Sequence, residues 1–297
     1  MTTATNGLLR RPGAIAERMT APEQTPYFYA LQGDRYSRQE LIREYEELTD
    51  RSLVVLIGQL DNEVIPPFVD AIGDIDRAGP LDLMLASPGG DAESALRIAK
   101  LCHAGRTDFR VVVPDQAKSA ATMLALGAEA IVMSDTSDLG PVDAQIWMGS
   151  RREYVPTKDV VDVVGDLETR VKGNPEAFPF YSALLGDVDA VAYQRAVAAS
   201  SRTNELVVEF LRCRASPPDE VKAREVATLL QGPAAHGAVV DFSKAIALGL
   251  PAIYIDPSAH EWQLLWRLYS RYHVSLGRNP IALIIEGRRV SLIREYQ

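Results

Sequence analysis

The chain has 297 residues, of which 47% are apolar, so it is long enough to bury the core of one large α/β domain. Its formal net charge of −9 argues against nucleic-acid binding, because the neutralisation of phosphates requires clustered lysine and arginine side chains. No stretch reaches the roughly 20 apolar residues of a membrane-spanning helix, and the first residues lack the apolar core of a signal peptide, so we expect a soluble, cytoplasmic protein without a membrane span.

Cysteine and histidine residues are few and scattered. Cys102 and Cys213 both lie in stretches with apolar periodicity, which is typical of buried thiols rather than of a disulfide. His103, His260 and His273 are too dispersed to suggest a metal site. No nucleotide-binding fingerprint is present, so any dependence on ATP would come from a separate partner protein. We therefore expect chemistry that uses neither a metal nor a cofactor.

The predicted elements begin after a segment without periodicity. Residues 1–26 mix Thr, Ala, Gly, Arg and Pro, and they are predicted to form a disordered N-terminal arm. A helix behind a serine cap is predicted over residues 37–48. Strands and helices then alternate, with strands over 53–60, 81–86, 109–114 and 130–133 and helices over 65–75, 92–103 and 119–127. This alternation indicates a parallel sheet with crossover helices, since a hairpin cannot join parallel neighbours.

The second half of the chain is predicted to be mostly helical. A helical insertion covers about residues 157–231, and a C-terminal helical extension covers about residues 258–297. The extension carries an aromatic stripe at near-helical spacing, formed by Trp262, Leu265, Trp266 and Tyr269. We interpret this stripe as a subunit or lid contact rather than a cofactor site. Residues 27–297 are thus predicted to form a single α/β domain.

Two strand-to-helix loops contain residues suited to acyl transfer. In parallel sheets, sites form at the carboxyl ends of the strands. The first loop contains Gly89 and Gly90, which can turn backbone N–H groups toward a substrate oxygen because no Cβ intervenes. The second leads to Ser119 at the first turn of a helix, where unpaired N–H groups favour developing negative charge. Taken alone, the first loop is better explained as an ordinary strand-to-helix turn, and Ser119 in the second as a helix-capping residue.

A third loop follows the strand over residues 130–133. Its Gly-Pro turn is followed by Asp143 and Gln145, which can wall a cleft or position a peptide backbone. Lys118, directly before the serine, is a further candidate for such a positioning role. In isolation this loop is only a tight turn, so its order and spacing relative to the first two carry the argument.

The three loops together resemble the Clp-fold serine proteinases of the SDH family, relatives of the proteolytic subunit of Clp protease and of signal peptide peptidase A. The runs that carry the resemblance are SPGGD, AKSAATMLALGAEAIVM and LGPVDAQ, at residues 87–91, 117–133 and 139–145. The resemblance implies a Clp/crotonase-like β/α spiral with Ser119 as the nucleophile. It implies an oxyanion hole formed by the backbone at Gly90 and Ala120, with Gly89 beside them. It also implies a homo-oligomer that acts on peptides or unfolded proteins.

A serine nucleophile needs a general base, and three residues are candidates. The position that matches the histidine of the Clp subunit falls near Gly140, and the long helix in which relatives carry a lysine offers arginine, which stays protonated. Lys172 could fold into the cleft, where burial would favour the neutral amine. Lys118 adjoins the nucleophile, but neighbouring side chains at a helix start usually diverge. His236 lies in a segment that matches the family.

Three functions remain open at this point. The first is a serine peptidase, in which Ser119 attacks a peptide carbonyl and a Lys or His base assists. The second is a catalytically impaired pseudoprotease that acts as an oligomeric scaffold or regulatory protein, because the family lysine is absent. The third is a crotonase-like acyl-CoA enzyme, in which the same N–H groups polarise a thioester carbonyl.

Overall fold

The computed structural model describes residues 25–106, 108–149, 152–186, 188–231 and 239–295. The predicted N-terminal arm lies outside this part of the chain except for its last residues. The first half contains α1 (Pro26–Leu31), α2 (Gly33–Thr49), β1 (Ser52–Gly58), α3 (Ile65–Gly73), β2 (Leu81–Ala86), α4 (Ala92–His103), β3 (Phe109–Val112), β4 (Gln116–Ala117), α5 (Ala120–Leu126), β5 (Ala130–Met133) and β6 (Asp138–Leu139).

The second half begins with a two-stranded ribbon and is mostly helical before it returns to the sheet. Its elements are β7 (Gln145–Met148), β8 (Glu153–Pro156), α6 (Thr157–Gly173), α7 (Phe178–Leu184), α8 (Ala190–Leu211), α9 (Glu220–Leu230), α10 (Phe242–Ala247), β9 (Ala252–Tyr254), α11 (His260–Arg278), β10 (Ile281–Glu286) and β11 (Ser291–Glu295). No described helix combines the length and the hydropathy that crossing a bilayer requires.

In the described chain, seven strands form one sheet in the order β11-β10-β1-β2-β3-β5-β9. The five strands from β1 to β9 pair in parallel, whereas β10 and β11 pair antiparallel at the β1 edge. All six residues of β2 are buried, as expected for a parallel strand that is covered on both faces. The predicted α/β fold with a parallel sheet and crossover helices is therefore confirmed.

Helices cover both faces of the sheet. The larger core lies between the sheet and α3, α4, α5, α8 and α9, and the smaller core lies between the sheet and the pair α2 and α11. Trp262, Leu265 and Tyr269 are buried in the smaller core, and only Trp266 is substantially exposed, at 37%. The interpretation of this stripe as a subunit or lid contact is therefore wrong, because it packs within its own chain.

A buried ion cluster fastens α2 to the sheet. Asp82 in β2 is fully buried and accepts hydrogen bonds from Tyr45 Oη at 2.5 Å, Arg51 Nε at 2.7 Å and Arg110 Nη2 at 2.6 Å. Burial raises the pKa of the Tyr45 phenol, which therefore remains a donor. The two guanidinium groups offset the cost of placing a carboxylate in the core. This cluster makes the sheet and α2 one fixed support for the loops at the strand ends.

The end of the described chain differs from the prediction. A helical extension was expected over about residues 258–297, but α11 ends at Arg278 and the following residues form the β10–β11 hairpin. Pro280 cannot continue a helix, and it restricts Asn279 to an extended backbone, which is observed at φ −131° and ψ 150°. The run Ile281–Glu286 is rich in β-branched residues and fills the open edge beside β1.

Candidate active site

Short bridges beyond the carboxyl ends of the main strands bring the three predicted loops together. Leu60 pairs in parallel with Gly90, and Ser87 pairs in parallel with Ala117. Strand β4 then pairs with β6, which joins Ala117 to Leu139. The SPGGD loop, the loop before α5 and the Gly-Pro loop are thus consecutive members of one small layer. Crossover helices return the chain to the same edge of the sheet, so loops that are far apart in the sequence lie side by side.

Ser119 has an unusual backbone conformation, with φ 51° and ψ −117°. The N–H of Ala121 donates to the carbonyl of Lys118 at 2.9 Å, so Ser119 is the second residue of a turn close to type II′. Glycine is the usual residue at that position, and another residue there costs about 1–3 kcal/mol. The Ser119 side chain makes no capping bond to α5, and its hydroxyl has no hydrogen-bond partner in the described residues. The helix-capping interpretation is therefore wrong.

Gly89 lies directly against Ser119. A methyl group at position 89 would come within 2.9 Å of the Ser119 Cβ atom and within 2.7 Å of the Lys118 carbonyl oxygen. Gly89 also has φ +100°, a conformation that favours glycine. Its own N–H donates to Ser87 Oγ at 3.0 Å, so this group is not available as an oxyanion donor. The structure thus gives Gly89 a steric role in place of the predicted donor role.

The N–H groups of Gly90 and Ala120 have no acceptor among the residues that the structure describes. Gly90 is exposed and has φ +138°, and a Cβ there would collide with the carbonyl oxygen of Leu60. Ala120 directly follows Ser119, and its N–H lies 3.2 Å from the place that a Gly89 Cβ would occupy. Two unpaired donors therefore flank the contact between Gly89 and Ser119. Such donors can bind a developing oxyanion.

Lys118 forms an ion pair with Asp138. Its side chain is 22% exposed, and its stem lies so close to Gly140 that a Cβ at Gly140 would overlap it. Asp138 also accepts a hydrogen bond from the N–H of Val240 at 3.3 Å. The amine pairs with this carboxylate and makes no hydrogen bond to Ser119, which argues against Lys118 as the base. Its positioning role stays a prediction.

Lys172 lies on the surface of α6. Its side chain is 74% exposed, and Nζ pairs with Glu168 one turn earlier at 2.6 Å. No hydrogen bond or ion pair joins it to Ser119. The prediction that Lys172 folds into the cleft is therefore contradicted in this conformation, and its surface position explains why: an (i, i+4) ion pair keeps the amine in water.

His236 lies outside the described residues, but both neighbouring described segments are fixed beside the site. The carbonyl of Leu230 accepts a hydrogen bond from the N–H of Val142 at 3.0 Å. Val240 forms an antiparallel bridge with Leu139. The chain therefore leaves and rejoins the described structure along the Gly-Pro loop, next to the loop that carries Ser119.

The remaining predicted cleft residues lie on the same loop. Asp143 is half-buried and has an interaction partner, and Gln145 is the exposed first residue of β7. Strand β7 pairs with β8 as an antiparallel ribbon that was not predicted, although Gly149 in the four-residue connection is a readable hairpin signal. Their positioning roles remain predictions.

Three polar residues that support the site were missed. Asp138 holds Lys118, Ser87 holds the Gly89 N–H, and Thr122 Oγ1 lies 2.7 Å from the carbonyl oxygen of Ala117 and 3.0 Å from that of Gly140. In the sequence, each of these three residues is a single hydroxyl or carboxyl side chain next to an apolar run, which is the pattern that could have identified them. Such a group is buried only with a hydrogen-bond partner, so its position indicates a structural contact.

A tyrosine of α11 supports the loop before β4. Tyr269 Oη donates to Asp115 Oδ2 at 2.6 Å, and burial raises the pKa of Tyr269, so the phenol keeps its proton. The carbonyl of Asp115 accepts from the N–H of Asp138 at 2.7 Å. Tyr269 of the aromatic stripe thus contacts the loop that leads to Ser119. Within the described ranges, no group of three His, Cys, Asp or Glu side chains could hold a metal ion.

Two curated relatives come from Methanocaldococcus jannaschii. The chain is 30% identical to the uncharacterized protein MJ0137 over 181 residues, which cover 61% of this chain and 56% of that protein. It is 26% identical to the uncharacterized protein MJ1495 over 202 residues, which cover 68% of this chain and 60% of that protein. The match therefore spans less than two thirds of the length of both relatives.

Two solved structures are similar. ClpP1 from Listeria monocytogenes is 11% identical, with a TM-score of 0.40, and the match covers 76% of this chain and 96% of that chain. A point mutant of the 1510-N membrane-bound stomatin-specific protease is 18% identical, with a TM-score of 0.31, and the match covers 41% and 61% of the two chains. The sequence profile of a protease family matches residues 60–272, most of the described chain. The chain belongs to the ClpP-like SDH-type serine proteinases.

Proposed function

We propose that this protein is a serine peptidase that cleaves peptide bonds through an acyl-enzyme on Ser119. The contact between Gly89 and Ser119 carries the proposal, because it sets a hydroxyl without a hydrogen-bond partner among the described residues beside two unpaired N–H groups. The strained turn at Ser119 adds support, since strain of this kind concentrates at functional sites. Membership of a serine proteinase family agrees with this chemistry.

The proposed reaction is acyl transfer in two steps. Ser119 Oγ forms a bond to the peptide carbonyl carbon while its proton passes to the general base, and the carbonyl oxygen becomes an oxyanion bound by the N–H groups of Gly90 and Ala120. The C–N bond then breaks, and the leaving amine takes the proton from the base. The same base then deprotonates a water molecule, whose oxygen attacks the ester carbonyl carbon. As the bond between this carbon and Ser119 Oγ breaks, the base returns the proton to Oγ.

We propose His236 as the base in preference to Lys172. The amine of Lys172 is exposed and pairs with Glu168, whereas the described segments on both sides of His236 contact the Gly-Pro loop. An imidazole has an ordinary pKa of about 6.5 and can act as a base near neutral pH. The proposed substrates are peptides or unfolded proteins, the proposed active form is a homo-oligomer, and the proposed location is the cytoplasm.

The proposal is tested with a fluorophosphonate probe and a fluorogenic peptide library. The wild-type protein should label and turn over peptides, and Ser119→Ala should do neither. His236→Ala should lower both rates by about a hundredfold or more, as expected for a lost general base, while Lys172→Ala should match the wild type. The rates of the wild type should rise with pH through about 6.5 as the imidazole loses its proton. Unchanged labelling of Ser119→Ala would contradict the proposal, and complete inactivity of the wild type would favour the scaffold.

A further inference from the structure

The β10–β11 hairpin contacts the turn that follows β1. The hairpin lies beyond the matched family region, which ends at residue 272. Its Arg294 is 29% exposed, and it donates to Asp61 Oδ2 from Nη2 at 2.9 Å and to Glu63 from Nη1. A guanidinium group that bridges two carboxylates fixes their separation, because its donors have a rigid planar geometry. The hairpin is thereby tied to this turn at one end of α3.

Asp61 uses both carboxylate oxygens. Its Oδ1 accepts hydrogen bonds from the N–H groups of Glu63 at 2.9 Å and Val64 at 3.2 Å, which begins the short 3₁₀ turn before α3. Its Oδ2 is left to bind Arg294. One oxygen thus shapes the turn internally, and the other anchors the turn to the hairpin.

The residue before Asp61 sets the position of a proposed oxyanion donor. The N–H of Leu60 donates to the carbonyl of Gly89 at 2.8 Å, and the carbonyl of Leu60 accepts from the N–H of Asp91 at 2.7 Å. Leu60 is fully buried, and its carbonyl oxygen fills the space where a Cβ of Gly90 would lie. The contacts of the Leu60 backbone therefore constrain the position and the direction of the Gly90 N–H group.

We propose that Arg294 is a positioning residue for the Gly90 donor, acting through Asp61 and Leu60. This inference rests on the proposed function of Ser119. Loss of the guanidinium group frees the turn from the hairpin, and Leu60 and Gly90 then sample a wider range of positions. Small displacements of a donor reduce its stabilisation of an oxyanion, because the bound geometry has to be reached before the reaction.

The same hairpin contains a matched control. Arg289 donates from Nε to Asp74 Oδ1 at 2.8 Å, and its side chain is 71% exposed. Asp74 directly follows the last residue of α3, whereas Asp61 precedes this helix. Arg289 and Arg294 thus tie the same hairpin to opposite ends of α3, and only the Arg294 contact leads to Gly90.

The test measures the maximal rate of fluorophosphonate labelling and the probe concentration that gives half of it, on the full chain. Arg294→Ala should lower the maximal rate about threefold to fivefold, the effect expected from the loss of partly exposed ion pairs, and leave the half-saturating concentration unchanged. Arg294→Lys should recover most of this loss, and Arg289→Ala should label like the wild type. Asp61→Asn keeps the turn acceptor, so adding it to Arg294→Ala should cost no more than Arg294→Ala alone.

A second readout does not depend on Ser119 chemistry. Amide hydrogen exchange at Leu60 and Asp91 should become faster in Arg294→Ala and stay unchanged in Arg289→Ala. Equal labelling and equal exchange in Arg294→Ala and the wild type would overturn the positioning role. Equal loss of labelling in both arginine variants, in step with their melting temperatures, would also overturn it. A wild type that shows no Ser119-dependent labelling would refute the proposed peptidase, while the exchange rates would still decide the role of Arg294.

Discussion

Lys118, the residue after β4, forms an ion pair with Asp138 of the neighbouring strand β6, and Lys118 is also the first residue of the turn that carries Ser119. Both side chains are about one fifth exposed, at 22% and 21%. The pair therefore joins the loop that carries Ser119 to the strand that leads into the Gly-Pro loop. We therefore predict that the pair holds the two loops together and takes no part in proton transfer.

Replacing Lys118 by methionine should weaken the fold without removing the base. The stem that packs on Gly140 is kept, and the loss of the ion pair should lower the free energy of unfolding by about 1 kcal/mol. Labelling should fall by less than about tenfold, since loss of a general base costs about a hundredfold or more. Urea denaturation and labelling rates check both values. Lys158→Met, which breaks an exposed ion pair with Asp162, is the control. A hundredfold loss of the labelling rate in Lys118→Met at every pH would instead identify Lys118 as the base.

Replacing Gly89 by alanine should displace the nucleophile. The new methyl group would meet the Ser119 Cβ at 2.9 Å and the Lys118 carbonyl oxygen at 2.7 Å, and neither backbone can move without opening the turn. We expect labelling to fall by about a hundredfold or more, the loss that follows a displacement of about 1 Å in an active site. Gly165→Ala has no atom within 4 Å of its new methyl group and lies inside α6, so it should leave labelling intact and stabilise the helix. Full activity of Gly89→Ala would show that the two residues do not need their observed contact.

Replacing Ser119 by glycine should stabilise the protein while it abolishes labelling. Glycine adopts φ near +50° without strain, so Ser119→Gly should exceed Ser119→Ala in free energy of unfolding by about 1 kcal/mol or more. Both variants lack the hydroxyl, which makes alanine the matched control for side-chain loss. Thermal and urea denaturation measure the difference. Equal stability of the two variants would mean that the positive φ of Ser119 is not a strained state.

Replacing Glu46 by glutamine should change how stability depends on pH. Burial raises the pKa of Glu46, so the folded protein holds this proton more tightly than the unfolded chain does. The resulting stability is present below the unfolded pKa and is lost as pH rises through the folded pKa. Glutamine keeps an acceptor for the N–H of Leu53 and cannot ionise, so its advantage over the wild type should grow from about pH 4 toward neutral pH.

Urea denaturation at several pH values checks this expectation. Glu40→Gln, an exposed position on the same helix, should follow the wild-type curve at each pH. Parallel curves for Glu46→Gln and the wild type would show that desolvation of Glu46 does not influence folding.

The parallel part of the fold could be predicted from the sequence because each strand is a short apolar run between turn residues. β2, β5 and α4 have the predicted ends, and the loops that follow β2 and β3 meet as the topology requires. The position of Ser119 at a helix start could also be predicted. Its left-handed backbone could not, because that conformation is imposed by the contacts of Gly89 and Lys118 rather than by local preference.

The errors arise where periodicity shows that a surface is apolar but not what covers it. The stripe of α11 has helical spacing, yet only the tertiary structure shows that Trp262 and Tyr269 face the sheet of the same chain. The β10–β11 hairpin had a readable signal, since Asn279-Pro280 precedes a β-branched run. The surface position of Lys172 could also have been predicted, because Glu168 lies four residues before it on the same helix face and can form an ion pair with it.

Strand β1 acquires its antiparallel neighbour β10 only late in the synthesis of the chain. Strand β1 is made early, but its second neighbour is made only after all five parallel strands, so the growing chain exposes an unpaired edge for most of translation. Pairing over such a sequence distance is slow compared with local folding. The turn between β1 and α3 thus gains its contact with Arg294 only after nearly all of the chain has been synthesised.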